Sequence, residues 1–372
     1  MSAAPLLPTR GRWIRRGGEI VLLPGASAPG GGGMRGEAGS APPGGLIHHP
    51  RLGYGWRRRR GAPREPDELP WPAAAWPELE EETVGEEETI GDEDTRVRVN
   101  PTTGVPYRWI CRLALVFANP ADPAEELEFV GSGTLISNRH VLTAAHNLRV
   151  SLPGASGLRT VASVTVRPGR NRRRSPFGKS VSAKVRVAPG WAGVTGTADF
   201  GLITLADELG ARRHLSLGRK PLGFWGSPDH GEHTRIRPLQ DAVLRGVVVN
   251  VSGYPRDKCG SRPAHGSATE AQLAACRPGL QGSTQWLASG RTTGPVGPAL
   301  LTYDMDTQRG QTGSPVWLRW KAFRTLVAVH SGGVEDPANP GVFTSNAGVR
   351  ITDAMLAQLR TWMRADGVTP AF

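Results

Sequence analysis

The sequence predicts an all-β fold, a sandwich or a barrel, and three observations lead there. From about residue 95 to 366 the chain is a series of short β-rich runs divided by Gly, Pro and Asn turns. Apolar residues make up 38% of the 372, with 11 Trp among them, which is ample for a core. No apolar run approaches the ~20 residues that a membrane-spanning helix needs. The 49 Gly and 32 Pro are denser in the first hundred residues than after them, so the length reads as one large domain with a tail, or two domains.

In chain order, residues 1–77 are a Gly/Pro/Ala/Arg tail. Within it, residues 12–23 carry two apolar-containing runs around Gly17-Gly18 and predict a β-hairpin. A lone hairpin is marginally stable, so this one is expected to dock on something. The apolar run Ile20 to Leu23 is too short for the core of a signal peptide, and arginines are interspersed around it. The Gly30 to Gly33 stretch and the Pro/Gly segment after it read as linker. Residues 78–94 then carry ten acidic side chains and no basic one, an acidic spacer.

The expected strands follow at 110–118, 128–136, 161–166, 181–187, 202–205, 243–251, 299–303 and 325–331. Residues 207–241 are an irregular linker rich in Gly, Pro, His and Arg. The chain closes with a helix over about 352–366. Ile351, Met355, Leu359 and Met363 share one face at helical spacing, Thr352 or Asp353 caps its start, and Gly367 follows its end.

Three stretches carry chemistry. In Gly310-Gln311-Thr312-Gly313-Ser314-Pro315-Val316-Trp317 a serine sits in a tight glycine turn ahead of an apolar run. Such a turn exposes the hydroxyl and aims successive backbone N–H groups one way, which suits attack on a carbonyl. An ordinary Gly-Ser turn between strands has the same look, so the partners decide. Upstream, Gly131-Ser132-Gly133-Thr134-Leu135 leads through a polar turn to Thr143-Ala144-Ala145-His146, where small residues beside the histidine leave room for a serine and a substrate. His140, next to Arg139 in the polar turn, reads as a surface residue. Between these stretches Asp199 opens the apolar run Phe200-Gly201-Leu202-Ile203. Asp207 is nearby but follows the strand. The order His146, Asp199, Ser314 is a known triad order.

On these blocks the chain resembles the chymotrypsin-fold serine endopeptidases, and among them the glutamyl endopeptidase branch. Val251-Ser252-Gly253-Tyr254-Pro255-Arg256-Asp257-Lys258, Tyr303-Asp304-Met305-Asp306-Thr307 and Ile90-Gly91-Asp92-Glu93-Asp94-Thr95-Arg96 add to the likeness, which covers roughly residues 90–365. The resemblance implies two six-stranded antiparallel barrels, the first over about 95–206 and the second over about 242–350, after a largely disordered tail and spacer over 1–94. It implies His146 as base, Asp199 as its orienter and Ser314 as nucleophile, with the Ser314 and Thr312 N–H groups as the oxyanion hole and Gly313 permitting the turn. The wider family usually has glycine where Thr312 stands.

Ala328-Val329-His330-Ser331-Gly332-Gly333 matches the strand that lines the specificity pocket of this fold. There the resemblance makes His330 the candidate ligand for a substrate glutamate, two ring donors being able to pair with a carboxylate. A wall histidine without a charge role is the other reading of the same residue. Ser331, Gly332 and Thr307 line the site, and Arg309, where a small residue is expected, either adds charge to the pocket or partly blocks it. An enzyme cutting after glutamate would find a ready site in the acidic spacer, so a propeptide removed between about Glu82 and Asp94 is expected.

Three cysteines in no paired spacing give no metal site, and no cofactor is expected. Cys259 and Cys276 lie in one irregular insert and are read either as a bridge worth about 3 kcal/mol or as two free thiols. Cys111 reads as a small buried hydrophobe. The net charge of +12 sits largely in Arg57 to Arg60 and in Arg167, Arg170, Arg172, Arg173 and Arg174. Such blocks are usually solvated, and no nucleic-acid module accompanies them. The expected partners are protein or peptide substrates, with no membrane span and a monomeric state, in an extracellular or cell-envelope setting. A protease fold kept as a non-catalytic binding scaffold is the competing reading, against which the intact His146, Asp199 and Ser314 stand; an effector or processing protease delivered by its tail, with a different preference before the cut, is the third.

Overall fold

A computed structural model describes residues 11–16, 19–24, 46–49, 53–60, 94–152, 154–193, 196–227, 233–258, 280–294, 296–336 and 339–372. Two units are distinct, residues 1–41 and 42–372. In the first, β1 (Gly11–Arg16) pairs antiparallel with β2 (Glu19–Pro24), the hairpin expected from the sequence.

In the second unit β3 (Leu46–His49), β4 (Gly53–Arg59) and β5 (Val97–Arg98) precede the long strands β6 (Ile110–Ala118) and β7 (Glu125–Leu135) and the short β8 (His140–Thr143). A small ribbon of β9 (Arg149–Ser151) and β10 (Leu158–Thr160) follows. Then come β11 (Ser163–Pro168), β12 (Ser180–Ser182), β13 (Val185–Val187) and β14 (Gly201–Thr204). The first sheet runs β12-β11-β6-β7-β8-β14-β13. Leu113, Leu115, Phe117, Phe129 and Val141 share one face of it by register and are buried, while β6, β8 and β14 are buried on both faces over nearly their whole length.

After a ribbon of β15 (Arg213–His214) and β16 (Lys220–Pro221) come β17 (Thr234–Ile236), the helical turn α1 (Asp241–Leu244) and the strands of the second sheet: β18 (Val248–Gly253), β19 (Trp286–Thr293), β20 (Leu300–Asp304), β21 (Pro315–Trp320), β22 (Phe323–Asp336) and β23 (Asn339–Arg350). Six of these close a ring, β22-β21-β18-β19-β20-β23 and back to β22. Leu244, Val249, Val251, Tyr303, Val316 and Leu318 fill it. Closure leaves no open edge among those six strands, which is the physical gain of a barrel. Between the barrels Trp225 packs edge-on to Trp109 at 6.3 Å and to Trp317 at 5.7 Å, joining residues from both sides. Cys111 is a buried free thiol, as expected. Cys259 and Cys276 lie outside the described residues.

Helix α2 (Asp353–Ala365) matches the sequence reading. Thr352 Oγ1 accepts from Met355 N at 3.2 Å, Met355, Leu359 and Met363 are buried with Ile351, and Gly367 turns at φ +74°. The end of this helix corrects the reading of His140. That residue is fully buried, with Nδ1 2.8 Å from Ser137 Oγ and Nε2 3.0 Å from Asp366 Oδ2. Asp366 also takes Arg186 at 2.7 and 2.8 Å, Lys184 at 2.6 Å and Thr204 Oγ1 at 2.7 Å. The polar turn before β8 looked solvated because its partner lies 226 residues further along the chain.

Two arginine blocks expected to be solvated are placed as well. Arg167 and Arg170 are buried, and Arg170 Nε donates to Arg172 O at 3.0 Å. Arg57 to Arg59 belong to β4, which adds to the outer edge of β7 in the register Trp56↔Glu128 to Arg59↔Glu125. Part of the N-terminal tail thus has a defined place in the first sheet, because the glutamates that match its arginines stand far away in sequence.

The start of the protease-like region is pinned to the second barrel. Arg96 reaches Asp94 at 2.8 Å and Asp257 at 3.0 and 2.5 Å, while Lys258 Nζ reaches Asp94 at 2.5 Å, all four side chains being nearly inaccessible. Burial on its own raises the Asp94 carboxyl, but Arg96 and Lys258 hold it down to about 2. Thr95 N donates to Asp306 Oδ2 at 2.6 Å, and the Thr95 hydroxyl bonds the same carboxylate.

Candidate active site

The site forms where the two barrels meet. The first barrel supplies His146 and Asp199. Strand β8 ends at Thr143, and Ala144 and Ala145, both fully buried, carry the chain in a tight turn to His146. Asp199 stands just ahead of β14, completely buried. Its Oδ2 lies 2.8 Å from His146 Nδ1, and its Oδ1 accepts from His146 N at 3.0 Å. Ser331 Oγ donates to the same Oδ2. Burial works to raise the Asp199 carboxyl, but the charge and hydrogen bonds of His146 and the Ser331 hydroxyl outweigh it, and its pKa is lowered.

The second barrel supplies the serine turn. Gly310 (φ +94°) and Gly313 (φ +86°) take conformations that side chains resist. Strand β22 holds the turn from behind: Gly313 N donates to His330 O at 2.8 Å, and His330 N to Ser314 O at 2.9 Å. Ser314 Oγ and His146 Nε2 are both buried, and neither has a hydrogen-bond partner among the described residues. These are the two atoms between which a triad passes its proton.

Three residues outside the expected set tie the turn to the rest of the site. Asn147 Nδ2 donates to Thr312 O at 2.9 Å and to Thr143 Oγ1 at 3.0 Å, and its Oδ1 accepts from Thr312 Oγ1 at 3.2 Å. It therefore bolts the histidine turn to the serine turn. Ser132 Oγ donates to Gly310 O at 2.7 Å and accepts from Tyr254 N at 2.9 Å. A Cβ at Gly253 would sit 2.7 Å from Ser132 Oγ and closer still to Ser314 Oγ, so the glycine makes room for the hydroxyl. Ser132 and Gly253 stood inside the quoted blocks and Asn147 directly after one, but the bonds from Asn147 to Thr312 and from Ser132 to Gly310 and Tyr254 join segments more than 100 residues apart.

The expected oxyanion donors are arranged differently from the sequence reading. Ser314 N–H donates to Gln311 O at 2.9 Å, inside the turn. The Ser314 N–H is thereby committed to the Gln311 carbonyl within the turn, and Thr312 is not among the positive-φ residues, as befits a residue with a side chain.

Of the pocket residues, His330 is fully buried with Nδ1 2.7 Å from the Tyr303 hydroxyl. Burial first, and the charge of His146 second, push its pKa down to about 3, so the ring is neutral near pH 7. Thr307 Oγ1 donates to Asn346 Oδ1 at 2.7 Å, and Asn346 Nδ2 to Met305 O at 2.6 Å. Asn346 escaped the sequence reading because it lies on β23, beyond the recognisable blocks. Gly332 is buried on β22 and Arg309 half-buried at the turn. Ser331, expected to line the pocket, directs its hydroxyl to Asp199.

A buried His–Asp pair from one barrel and a serine on a glycine turn from the other are the parts of a chymotrypsin-type serine peptidase site. Residues 124–351 match the trypsin family, and the chain belongs to it. It is 28% identical to the glutamyl endopeptidase of Bacillus licheniformis over 278 residues, 72% of this chain and 66% of that protein. It is 24% identical to the extracellular metalloprotease of Bacillus subtilis over 272 residues, 72% of this chain and 67% of that protein. The chain thus spans about two thirds of the length of these relatives. A solved glutamyl endopeptidase structure in complex with MPD superposes with a TM-score of 0.51 at 23% identity, over 74% of this chain and 98% of that one, and shares the fold. No helix among the described residues is long and apolar enough to cross a membrane.

Proposed function

We propose that the chain is a serine endopeptidase working through an acyl-enzyme, and the observation that carries this is the buried His146–Asp199 pair beside an uncommitted Ser314 hydroxyl. His146 Nε2 takes the Ser314 proton as Oγ attacks the scissile carbonyl, then gives it to the leaving amine. Water repeats the sequence on the ester and frees the enzyme. Asp199, fixed by Ser331 and by His146 N, keeps the proton on Nδ1 and balances the imidazolium.

The oxyanion needs the Ser314 and Thr312 N–H groups, and therefore needs the Gln311–Thr312 peptide to turn over. Turning a peptide plane changes φ of the following residue by about half a circle and takes Thr312 into the left-handed region, which costs a side-chain-bearing residue about 1–2 kcal/mol. Thr312→Gly is accordingly expected to raise kcat about 5- to 30-fold in a steady-state peptide assay. An unchanged or lower kcat would mean that the turn does not reorganise in this way. The closed turn is also the observation that favours the scaffold reading, in which the fold binds without cutting.

Specificity for glutamate is proposed from His330, with Thr307 beside it and the name of the Bacillus licheniformis relative in support. A hydrogen bond to a charged group is worth about 1.5–3 kcal/mol. His330→Leu is therefore expected to lower kcat/KM about 10- to 150-fold for peptides with glutamate before the cut, and to leave other cuts much less affected. Equal losses on all peptides would make His330 a wall residue. The acidic spacer is the proposed site of self-processing, with the new N-terminus no later than Asp94, since Asp94 is part of the buried ion cluster. Release to the cell exterior fits this chemistry and the extracellular setting in the name of the Bacillus subtilis relative.

The test is cleavage of a mixed peptide library beside a Ser314→Ala control. Cuts after glutamate that vanish in the control support the reading. Ser314-dependent cuts elsewhere keep the mechanism and remove the glutamate assignment. No cleavage, even after removal of residues 1–93, leaves the scaffold reading standing.

A further inference from the structure

We propose that strand β4 stays docked on β7 after the acidic spacer is cut, so that the processed protein is a two-chain molecule whose first sheet is completed by its own tail. This rests on the proposed processing only for the origin of the cut.

The contact is a built one. Four residue pairs form the ladder, Arg60 N extends it by donating to Ala124 O at 2.6 Å, and β3 covers the outer side of β4 over four more pairs. Facing side chains carry opposite charge. Arg58 Nη2 lies 2.6 Å from Glu126 Oε2, with the two side chains only 21% and 18% exposed. Arg58 Nε lies 3.7 Å from Glu128, Arg57 3.6 Å from Glu125 and Arg60 4.0 Å from Glu126. Trp56 adds an aromatic anchor, its ring centroid 5.8 Å from the guanidinium carbon of buried Arg256. Arg256 N in turn donates to Arg309 O at 2.9 Å, at the edge of the serine turn.

Both ends of the spacer are held independently of it. Arg60 is bonded to the β7 side, and Asp94 to Arg96 and Lys258. Hydrolysis within residues 82–93 adds one water across one peptide bond and leaves a carboxylate on the tail and an ammonium on the protease. It removes the tether and none of the contacts above. Were β4 to leave, the 125–128 edge of β7 would expose unpaired backbone groups and three glutamates, an edge that sheets are built to cover. An added strand binds through its main chain and is selected through its side chains, and arginines at 57, 58 and 60 match glutamates at 125, 126 and 128.

The experiment uses the full chain carrying Ser314→Ala, with the recognition sequence of a foreign site-specific protease in place of residues 84–90. After complete cutting, gel filtration is run in 0.1 M and 1 M salt. The two fragments are expected to elute together at 0.1 M and to separate progressively at 1 M, where partly exposed ion pairs are screened. Arg58→Glu is expected to weaken retention at least tenfold, and adding Glu126→Arg to that variant to restore it. Separation of the parent fragments at 0.1 M overturns the proposal, and so does retention unaffected by Arg58→Glu. Because a foreign protease makes the cut, a chain that fails to process itself does not alter this result, and a tail that leaves does not bear on self-processing.

Discussion

Asparagine in place of Asp199 is expected to lower kcat by about 10⁴ while leaving KM within a few-fold and the fold intact. The carboxylate accepts three bonds, from His146 N on Oδ1 and from His146 Nδ1 and the Ser331 hydroxyl on Oδ2. An amide has one accepting oxygen and an NH₂ that only donates. If the oxygen stays on His146 N, the NH₂ faces Nδ1 and turns it into an acceptor, which moves the ring proton to Nε2. His146 then has no lone pair with which to take the Ser314 proton. If the amide turns over, the buried His146 N loses its acceptor instead. Steady-state kinetics beside a thermal melt checks this. A loss of less than tenfold in a folded variant would show that Asp199 does not set the tautomer of His146.

Gly253→Ala is expected to cost at least about 10² in kcat/KM, on the rule that a nucleophile misplaced by about 1 Å loses that much. The added methyl would stand closer to Ser314 Oγ than real Cβ atoms come, with Ser132 Oγ at 2.7 Å on its other side. Strand β18 cannot retreat to relieve this, because it is laddered to β19 along six residue pairs and to β21 at two. The Ser314 hydroxyl must swing instead, away from the position His146 serves. Ser132→Ala, which removes one of the two obstructing groups, is expected to recover only part of the loss. Circular dichroism that is unchanged, with kinetics reduced, is the expected pair of results. Full activity in Gly253→Ala would mean that the turn carries slack that the packing does not show.

Much of the site was legible because its members sit in short, chemically distinctive stretches. Thr143 to His146 combines small residues with the base, and Gly310 to Ser314 combines turn glycines with the nucleophile. Ser331 was read as a pocket residue together with its neighbours His330 and Gly332, yet its side chain is directed to Asp199. His140 was misplaced for a related reason. Beside Arg139 it looks solvated, and only the docking of α2 brings Asp366 onto its ring. The state of the oxyanion turn was equally out of reach, since the orientation of one peptide plane depends on what the Gln311 carbonyl finds to accept from.

The strand periodicity, the helix cap and face at 352–366, and the two short stretches that hold the proposed base and nucleophile were legible in local residue pattern, because each rests on neighbours within a few positions. The place of β4 on β7, the Asn147 bolt between the two turns, the space kept by Gly253 and the buried cluster around Arg96 were decided by tertiary structure. Each depends on a hydrogen bond, an ion pair or a van der Waals limit between segments far apart in the chain. Such contacts act over a few ångströms, and only the folded sheets packed on one another bring those segments within that range.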